Sequence, residues 1–188
     1  MTERIAGAFQ QSRARITGIL YLLYFLTAIC AEVFVGKGRP GLYEVVFLIS
    51  NAFYVAVTLL FYSLFKPVNM SISTLAALLS LLGCAASILG FLHLAPYNIN
   101  PLIFFGPFCI LIGYLILNSS FLPRIIGALM VLAGVGWLIY LFPFASHIST
   151  YLKILGIVAE GSLMLWLTAM GVNEQRWKEQ AAAAEMRA

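Results

Sequence analysis

Aspartate is absent from this sequence, and charged residues of every kind are scarce. All seven acidic side chains are glutamates, and only 10% of the 188 residues are charged, whereas 62% are hydrophobic. An ordinary soluble domain carries about 25% charged residues, so this surface has too little charge to stay dissolved in water as a monomer. The composition therefore excludes an ordinary soluble globular domain and indicates that lipid surrounds most of the chain.

The sequence also lacks the short motifs of several enzyme classes and cofactor sites. It contains no Walker loop, no GxSxG, no HExxH and no pair of histidines suited to haem. Cys30, Cys84 and Cys109 lie in apolar runs without a CxxC motif, and we interpret them as buried thiols. We therefore assign no catalytic residue, leave metals and cofactors unknown, and regard an enzyme as the less favoured class.

The net charge of +4 does not indicate a nucleic-acid partner, because the basic residues stand at the ends of apolar runs and form no single basic face. Their distribution instead predicts topology. Eight lie on one side of the expected membrane, namely Arg4, Arg13, Arg15, Lys66, Arg124, Arg176, Lys178 and Arg187. Three lie on the other side, namely Lys37, Arg39 and Lys153. The positive-inside rule then predicts both termini in the cytoplasm, with the lipid bilayer of a bacterial inner (plasma) membrane as the main partner.

Six apolar runs reach or approach the about 20 residues that a helix needs to cross the hydrocarbon core of a bilayer. They are residues 16–35, 42–65, 72–95, 101–117, 125–142 and 152–172. Short connections with turn residues join them, so consecutive helices must be antiparallel. The sequence predicts an all-α polytopic membrane protein with a compact bundle of six transmembrane helices over residues 16–172. Residues 1–15 precede this bundle in the cytoplasm, and we expect the helical tail 173–188 to continue the last helix into water.

Small side chains mark the faces where these helices can approach one another closely, as helices in membranes commonly do. In the third run they are Ser73, Ser80, Gly83, Ser87 and Gly90. The fourth run offers Gly106 and Gly113, and the fifth run offers Gly127 and Gly134. The second run instead carries a polar stripe of Glu44, Asn51, Tyr54, Thr58 and Tyr62, which should face protein or water.

Glu160 stands within the last apolar run, on the same helical face as Gly156 and Met164. It lies seven residues inward of Lys153, which is roughly 10 Å along a helix. Insertion scales give about 2.5–3.5 kcal/mol for Asp, Lys or Arg at the centre of a span, so even part of that cost calls for a partner or a neutralising proton. Two interpretations stay open: a protonated carboxyl bonded to Asn51, Tyr54 or Tyr21, or a site for a ligand or proton.

Three further polar side chains belong to the outer half of the predicted bundle: Glu32, Glu44 and His93. For the two glutamates, pairing with Lys37 and Arg39 at the interface is the simpler interpretation; for His93 it is a satisfied interfacial imidazole. Together with Glu160 they could instead surround a cavity that opens outward. Such a set could bind a divalent metal, bind a cationic or hydroxylated ligand, or carry protons.

Residues 104–134, FFGPFCILIGYLILNSSFLPRIIGALMVLAG, resemble a bacterial family of six-helix membrane proteins known as domain of unknown function number four-three-eight-six. The matching residues are Gly113, Tyr114, Leu115, Ser119, Leu122, Pro123, Arg124, Gly127 and Gly134. The stretches ARITGILYLL, AEVFVG and KPVN, and the region from Glu160 to Asn173, also fit, so the likeness covers nearly the whole chain. The resemblance implies a six-helix fold and a role for Glu32 and Glu160, and it implies no activity. The family often has a His where this chain has Phe108, so a function of that His would be lost or taken over by His93.

These observations favour a small ligand-binding or accessory membrane protein whose outward-facing polar pocket centres on Glu160. Its companions would be Glu44, Glu32, His93, Asn51 and Tyr54. The expected partner is a lipid, a quinone-like or pigment-like apolar small molecule, or another membrane subunit. One alternative is a proton-coupled small transporter in which Glu160 carries the proton. A second alternative is a metal-dependent membrane enzyme.

Overall fold

The computed structural model describes residues 2–32, 40–94 and 99–186, and only the backbone of residues 2–10 and 40. Within these ranges the chain forms helices and no strand. The α-helices are α1 (Thr2–Cys30), α2 (Pro40–Phe65), α3 (Met70–Phe91), α4 (Leu102–Leu117), α5 (Arg124–Tyr140), α6 (Ser149–Ala169) and α7 (Glu174–Glu185). A 3-10 helix, Pro143–Ile148, leads into α6. The all-α prediction is thereby confirmed.

The helix boundaries follow the apolar runs, with one extension at the N-terminus. Helix α1 begins at Thr2, so most of the predicted segment 1–15 belongs to the same helix as the first apolar run. The predicted ends of the first run (33–35) and of the third run (95), together with Lys37 and Arg39, lie outside the described residues.

Four stretches of the described chain are long and apolar enough to cross a membrane. They are Gln11–Cys30, Gly41–Phe65, Met70–Phe91 and Pro143–Ala169. Helices α4 and α5 are apolar but shorter, with 16 and 17 residues. At about 1.5 Å per residue they measure roughly 24–26 Å, against about 30 Å of hydrocarbon in a typical bilayer. A membrane protein with four candidate spans is therefore the part of the six-span prediction that length and composition support.

Helices α1 to α6 form a closed ring, because each packs against the next one along the chain and α6 packs against α1. Large apolar side chains cover the outside of this ring, for example Leu26, Leu59 and Ile125, which are 54%, 55% and 71% exposed. An outer surface of this kind suits contact with acyl chains and would be unfavourable in water.

Helices α4 and α5 cross with their backbones in direct contact. A Cβ atom added to Gly113 would lie 2.6 Å from the carbonyl oxygen of Gly127, and one added to Gly127 would lie 2.8 Å from the carbonyl oxygen of Gly113. Gly106 and Gly134, each seven residues away along its helix, face each other in the same way. The prediction that these four glycines allow close helix approach is confirmed.

Helices α2 and α3 are joined by one hydrogen bond between two side chains and by one from a side chain to the backbone. The hydroxyl oxygens of Thr58 and Ser80 lie 2.6 Å apart, and the Ser73 hydroxyl donates to the carbonyl oxygen of Tyr62 at 3.1 Å. Both the polar stripe of α2 and the small face of α3 therefore turn inward over much of their length. The exceptions lie near the predicted outer ends, because Glu44 is exposed and Gly90 faces open space.

The expectation that the C-terminal tail prolongs α6 is wrong. Gly171 has a φ of 70°, in the left-handed region that glycine favours, and the helix stops there. The side chain of Asn173 then accepts a hydrogen bond from the backbone N–H of Arg176 at 3.1 Å and caps a new helix, α7. Helix α7 folds back onto the bundle, where the indole N–H of Trp177 donates to the carbonyl oxygen of Leu64 at 2.9 Å.

Candidate functional site at Glu160

Glu160 lies near the middle of α6, eleven residues after Ser149 and nine residues before Ala169. At about 1.5 Å per residue this leaves roughly 14–16 Å of helix on each side. The sequence-based depth of Glu160, counted from Lys153, was too short. Helix α6 begins at Ser149, four residues before Lys153. A carboxyl group this far from both helix ends is costly in lipid unless the protein surrounds it.

The protein does surround it, through contacts from two other helices. The phenolic O–H of Tyr21 on α1 donates to Oε2 of Glu160 at 2.6 Å, and the indole N–H of Trp137 on α5 donates to Oε1 at 3.4 Å. Tyr21 is completely buried and the Glu160 side chain is half-buried. Of the three partners considered from the sequence, Asn51, Tyr54 and Tyr21, the structure selects Tyr21.

Two glycines allow α1 and α5 to come close enough for these hydrogen bonds. Gly156 lies one turn before Glu160, and a Cβ atom there would overlap the six-membered ring of Trp137. Gly18 lies one turn before Tyr21, and a Cβ atom there would overlap the backbone nitrogen of Thr168 on α6. The sequence thus leaves space on α6 for the indole ring and on α1 for the backbone of α6.

Three tyrosine rings form a compact group beside the Glu160 carboxyl. The ring centroids of Tyr21 and Tyr24 are 6.0 Å apart, those of Tyr21 and Tyr54 are 6.0 Å apart, and those of Tyr24 and Tyr54 are 4.6 Å apart. Phe105 and Phe108 of α4 extend the group, with their centroids 5.3 and 6.2 Å from that of Tyr54. Aromatic side chains from α1, α2 and α4 therefore meet in the interior of the ring.

The hydroxyl groups of Tyr24 and Tyr54 differ from that of Tyr21. Neither forms a hydrogen bond within the described part of the protein, yet no described side-chain oxygen or nitrogen is both enclosed and unpartnered. Each of these two hydroxyl oxygens therefore keeps at least a small accessible surface, although the Tyr54 side chain as a whole is 5% exposed. Because a phenolic O–H can donate and accept, each can bind a polar group of a ligand there.

The described residues place no positive charge beside the Glu160 carboxyl. No Lys or Arg side chain in the described ranges forms an ion pair with Glu160. Lys153, on the same helix, instead lies with its Nζ 5.4 Å from the centroid of the Tyr140 ring. The hydrogen bonds from Tyr21 and Trp137 stabilise negative charge on the carboxyl without neutralising it.

The other predicted site residues are distributed over several environments. Asn51 is buried, and its amide donates to the carbonyl oxygen of Phe47 at 3.0 Å within its own helix. Glu32 accepts a hydrogen bond from the Tyr43 hydroxyl at 2.7 Å, whereas its suggested pairing with the bases of the outer loop falls on residues not described. Glu44 is exposed, and no hydrogen bond or ion pair between described residues links it to Glu160. Of the predicted companions, Tyr54 is the one that contacts a residue bonded to Glu160.

The family resemblance implies a histidine at the position of Phe108 and suggests His93 as the residue that could take over its function. Phe108 is 1% exposed and lies in the aromatic group beside Tyr54, so that position faces the same interior as Glu160. His93 is exposed just beyond the end of α3, with a φ of 55°. No described contact joins His93 to the aromatic group, so nothing supports its replacing the histidine of the family.

The described residues contain no group of three His, Cys, Asp or Glu side chains arranged to hold a metal ion. Cys84 and Cys109 are free, buried thiols, as expected from their apolar surroundings, whereas Cys30 is free and only partly buried, so the prediction of burial is wrong for that residue. The metal-dependent alternative therefore gains no support from this part of the chain.

Sequence reasoning missed two residues of the site, Trp137 and Tyr24. A signal for Trp137 was present, because Gly156 leaves the face of α6 bare one turn from Glu160 and a large ring can fill that space. Tyr24 lies one turn after Tyr21 on α1, so it shares the face that carries the partner of the carboxyl. Neither signal identifies the contact without the helix order in the ring.

Comparisons with known proteins agree with the family resemblance and add no activity. The family described as Domain of unknown function (DUF4386) matches residues 97–171, which include Glu160 but not Glu32. A protein of Archaeoglobus fulgidus named "Uncharacterized protein" is 33% identical over 120 residues, which are 60% of this chain and 74% of that protein. No solved structure matches the chain. The expected likeness outside residues 97–171 and a bacterial source stay predictions. The chain belongs to the DUF4386 family.

Proposed function

We propose that this protein crosses a bacterial inner membrane six times with both termini in the cytoplasm, and that it binds a ligand in an outward-facing pocket centred on Glu160. The two shorter helices, α4 and α5, complete a ring with the four longer ones. Their shortfall of a few ångströms against the bilayer is of a size that local thinning and flanking side chains accommodate. The excess of Lys and Arg on the side of the termini supports the orientation.

The ligand-binding role is supported by the hydroxyls of Tyr24 and Tyr54, which have no hydrogen-bond partner in the described protein and lie beside the carboxyl that Tyr21 binds in the interior of the ring. If the carboxyl served packing alone, polar groups with free hydrogen-bonding capacity would not be needed beside it. The hydroxyls of Tyr24 and Tyr54 are polar groups of this kind. Intramembrane acids of this kind usually mark a ligand, ion or proton site. The role that fits is that of a binding or accessory membrane protein for a small molecule or for another membrane subunit.

Native mass spectrometry of gently extracted protein tests this proposal. We expect the wild-type protein to carry a bound small molecule, lipid or partner, and Glu160→Gln to lose it while keeping its fold. Glu179→Gln is the matched control, because Glu179 is exposed on α7 and accepts a hydrogen bond from Gln175, away from the aromatic group. Identical bound masses in wild type and Glu160→Gln would contradict the pocket.

A proton-coupled transporter is the second candidate, favoured by the lack of a described counter-charge beside Glu160. In lipid such a carboxyl is readily neutralised by a proton, and reversible neutralisation is the chemical step that proton coupling needs. Proteoliposomes that contain Glu160→Gln would then bind substrate without proton movement, whereas proton movement equal to that of wild type would exclude this role for Glu160.

A further inference from the structure

The pocket contains a carboxyl group and aromatic rings but lacks a described positive charge. Tyr21 and Trp137 already donate hydrogen bonds to the two oxygens of Glu160. These two donors stabilise the carboxylate form of Glu160. Lys153 is occupied by the ring of Tyr140, and no other described base pairs with Glu160. In the described protein, Glu160 can therefore be neutralised by a proton or by a positive charge that comes with the ligand.

The surroundings of the carboxyl match one class of positive charge. Tyr21 and Trp137 contact the carboxyl directly. The rings of Tyr24 and Tyr54 pack against each other and against Tyr21, with the Tyr24 and Tyr54 centroids 4.6 Å apart. Aromatic rings attract a cation within about 6 Å of their centroids, by roughly 0.5–2 kcal/mol each according to desolvation. A hard metal ion instead requires several oxygen ligands, and the described residues offer no group of three ligating side chains.

We propose that the ligand of the Glu160 pocket is an amine-type organic cation with an apolar body. Its ammonium group lies beside the Glu160 carboxylate, and its N–H groups donate to the hydroxyls of Tyr24 and Tyr54, which have no partner in the described protein. Its apolar part lies against Phe105, which is partly exposed and packs on Tyr54. This inference rests on the proposed pocket and specifies the charge and shape of what enters it.

The test compares phenethylamine with 2-phenylethanol, which has nearly the same shape and no charge, by isothermal titration calorimetry on wild-type protein in detergent. We expect the amine to bind at least about tenfold more tightly than the alcohol, since a tenfold ratio needs only the about 1.4 kcal/mol that one charge-assisted contact supplies. Glu160→Gln should remove this preference, whereas Glu179→Gln, on the exposed side of α7, should keep it. Equal binding of the two compounds by wild type, no binding of the amine, or an unchanged preference in Glu160→Gln overturns the cationic ligand.

The comparison on wild-type protein needs no variant, so it stays decisive even if Glu160→Gln fails to fold. Native mass spectrometry separates failure of this inference from failure of the pocket. A neutral molecule that co-purifies with wild type and is absent from Glu160→Gln would preserve the pocket and overturn the cationic class. Loss of both the amine preference and any Glu160-dependent bound mass would overturn the pocket as well.

Discussion

Replacing Tyr21 by Phe tests the contact on which the site depends. The substitution removes one hydroxyl, which donates to Oε2 of Glu160 at 2.6 Å, and leaves the buried ring in place. Interhelical hydrogen bonds in membrane proteins average about 0.6 kcal/mol with a maximum near 1.7, whereas bonds to charged groups contribute about 1.5–3 kcal/mol. Since Tyr21 is fully buried and water has little access to replace its hydroxyl, we expect a loss of about 1–2 kcal/mol in the free energy of unfolding.

Tyr24→Phe is the matched control for this measurement. It removes the same atom from the neighbouring ring, but that hydroxyl has no partner in the described protein and reaches accessible space. In ligand-free protein we expect a change within about 0.5 kcal/mol. Reversible unfolding in sodium dodecyl sulfate, followed by circular dichroism, measures both variants in one detergent system.

A double-mutant cycle between Tyr21→Phe and Glu160→Met isolates the pair. A coupling energy of about 0.5 kcal/mol or more is expected for residues in contact. Equal destabilisation by the two Tyr-to-Phe variants, or a coupling energy near zero, would show that the hydroxyl contributes no interaction with Glu160.

Three further predictions concern helix packing. Gly127→Leu should disrupt the contact of α4 with α5 and lower the free energy of unfolding by about 1–3 kcal/mol or more. Gly161→Leu should be tolerated, because a Cβ atom at Gly161 meets nothing within 4 Å. Thermal unfolding in detergent compares the two variants. Ser80→Ala removes the hydroxyl that lies 2.6 Å from that of Thr58 and should cost about 0.6 kcal/mol in the same unfolding assay; no change would mean that the two hydroxyls do not interact. Trp177→Phe removes the indole N–H that joins α7 to α2, so amide hydrogen exchange in α7 should become faster while exchange in α6 stays unchanged. Exchange in α7 at the same rate in the variant and the wild type would contradict the docking of α7.

The helices and several of their contacts could be predicted because a membrane restricts what the backbone can do. Every backbone polar group in lipid must be satisfied within the segment, so long apolar runs become helices. Spacing by seven residues then places Gly106 with Gly113, and Gly127 with Gly134, on single faces. These two faces meet at the crossing of α4 and α5.

The rest depends on tertiary contacts that the local pattern does not contain. The end of α6 had a local signal in Gly171 and Asn173, but the return of α7 to the bundle depends on the distant bond between Trp177 and Leu64. The helical face predicted the inward direction of Glu160. It named Tyr21 on α1 as one of three candidate partners and did not identify Trp137 on α5. The choice of Tyr21 follows from the packing of α6 against α1, and the contact of Trp137 follows from the packing of α5 against α6. Glu44 shares a stripe with inward residues and is nevertheless exposed, since it lies near the start of its helix.

Thiol labelling at position 160 measures the central claim most directly. In a background with Cys30, Cys84 and Cys109 replaced by Ala, Glu160→Cys is compared with Val158→Cys, whose native side chain is 48% exposed on the outer surface of the same helix. A positively charged, membrane-impermeant methanethiosulfonate is added outside intact spheroplasts. Because these reagents attack thiolates and a thiol in acyl chains stays protonated, we predict modification of Glu160→Cys at least about tenfold faster than of Val158→Cys. Equal resistance of the two variants, or modification of Glu160→Cys only from the cytoplasmic side, would contradict an outward-facing pocket at Glu160.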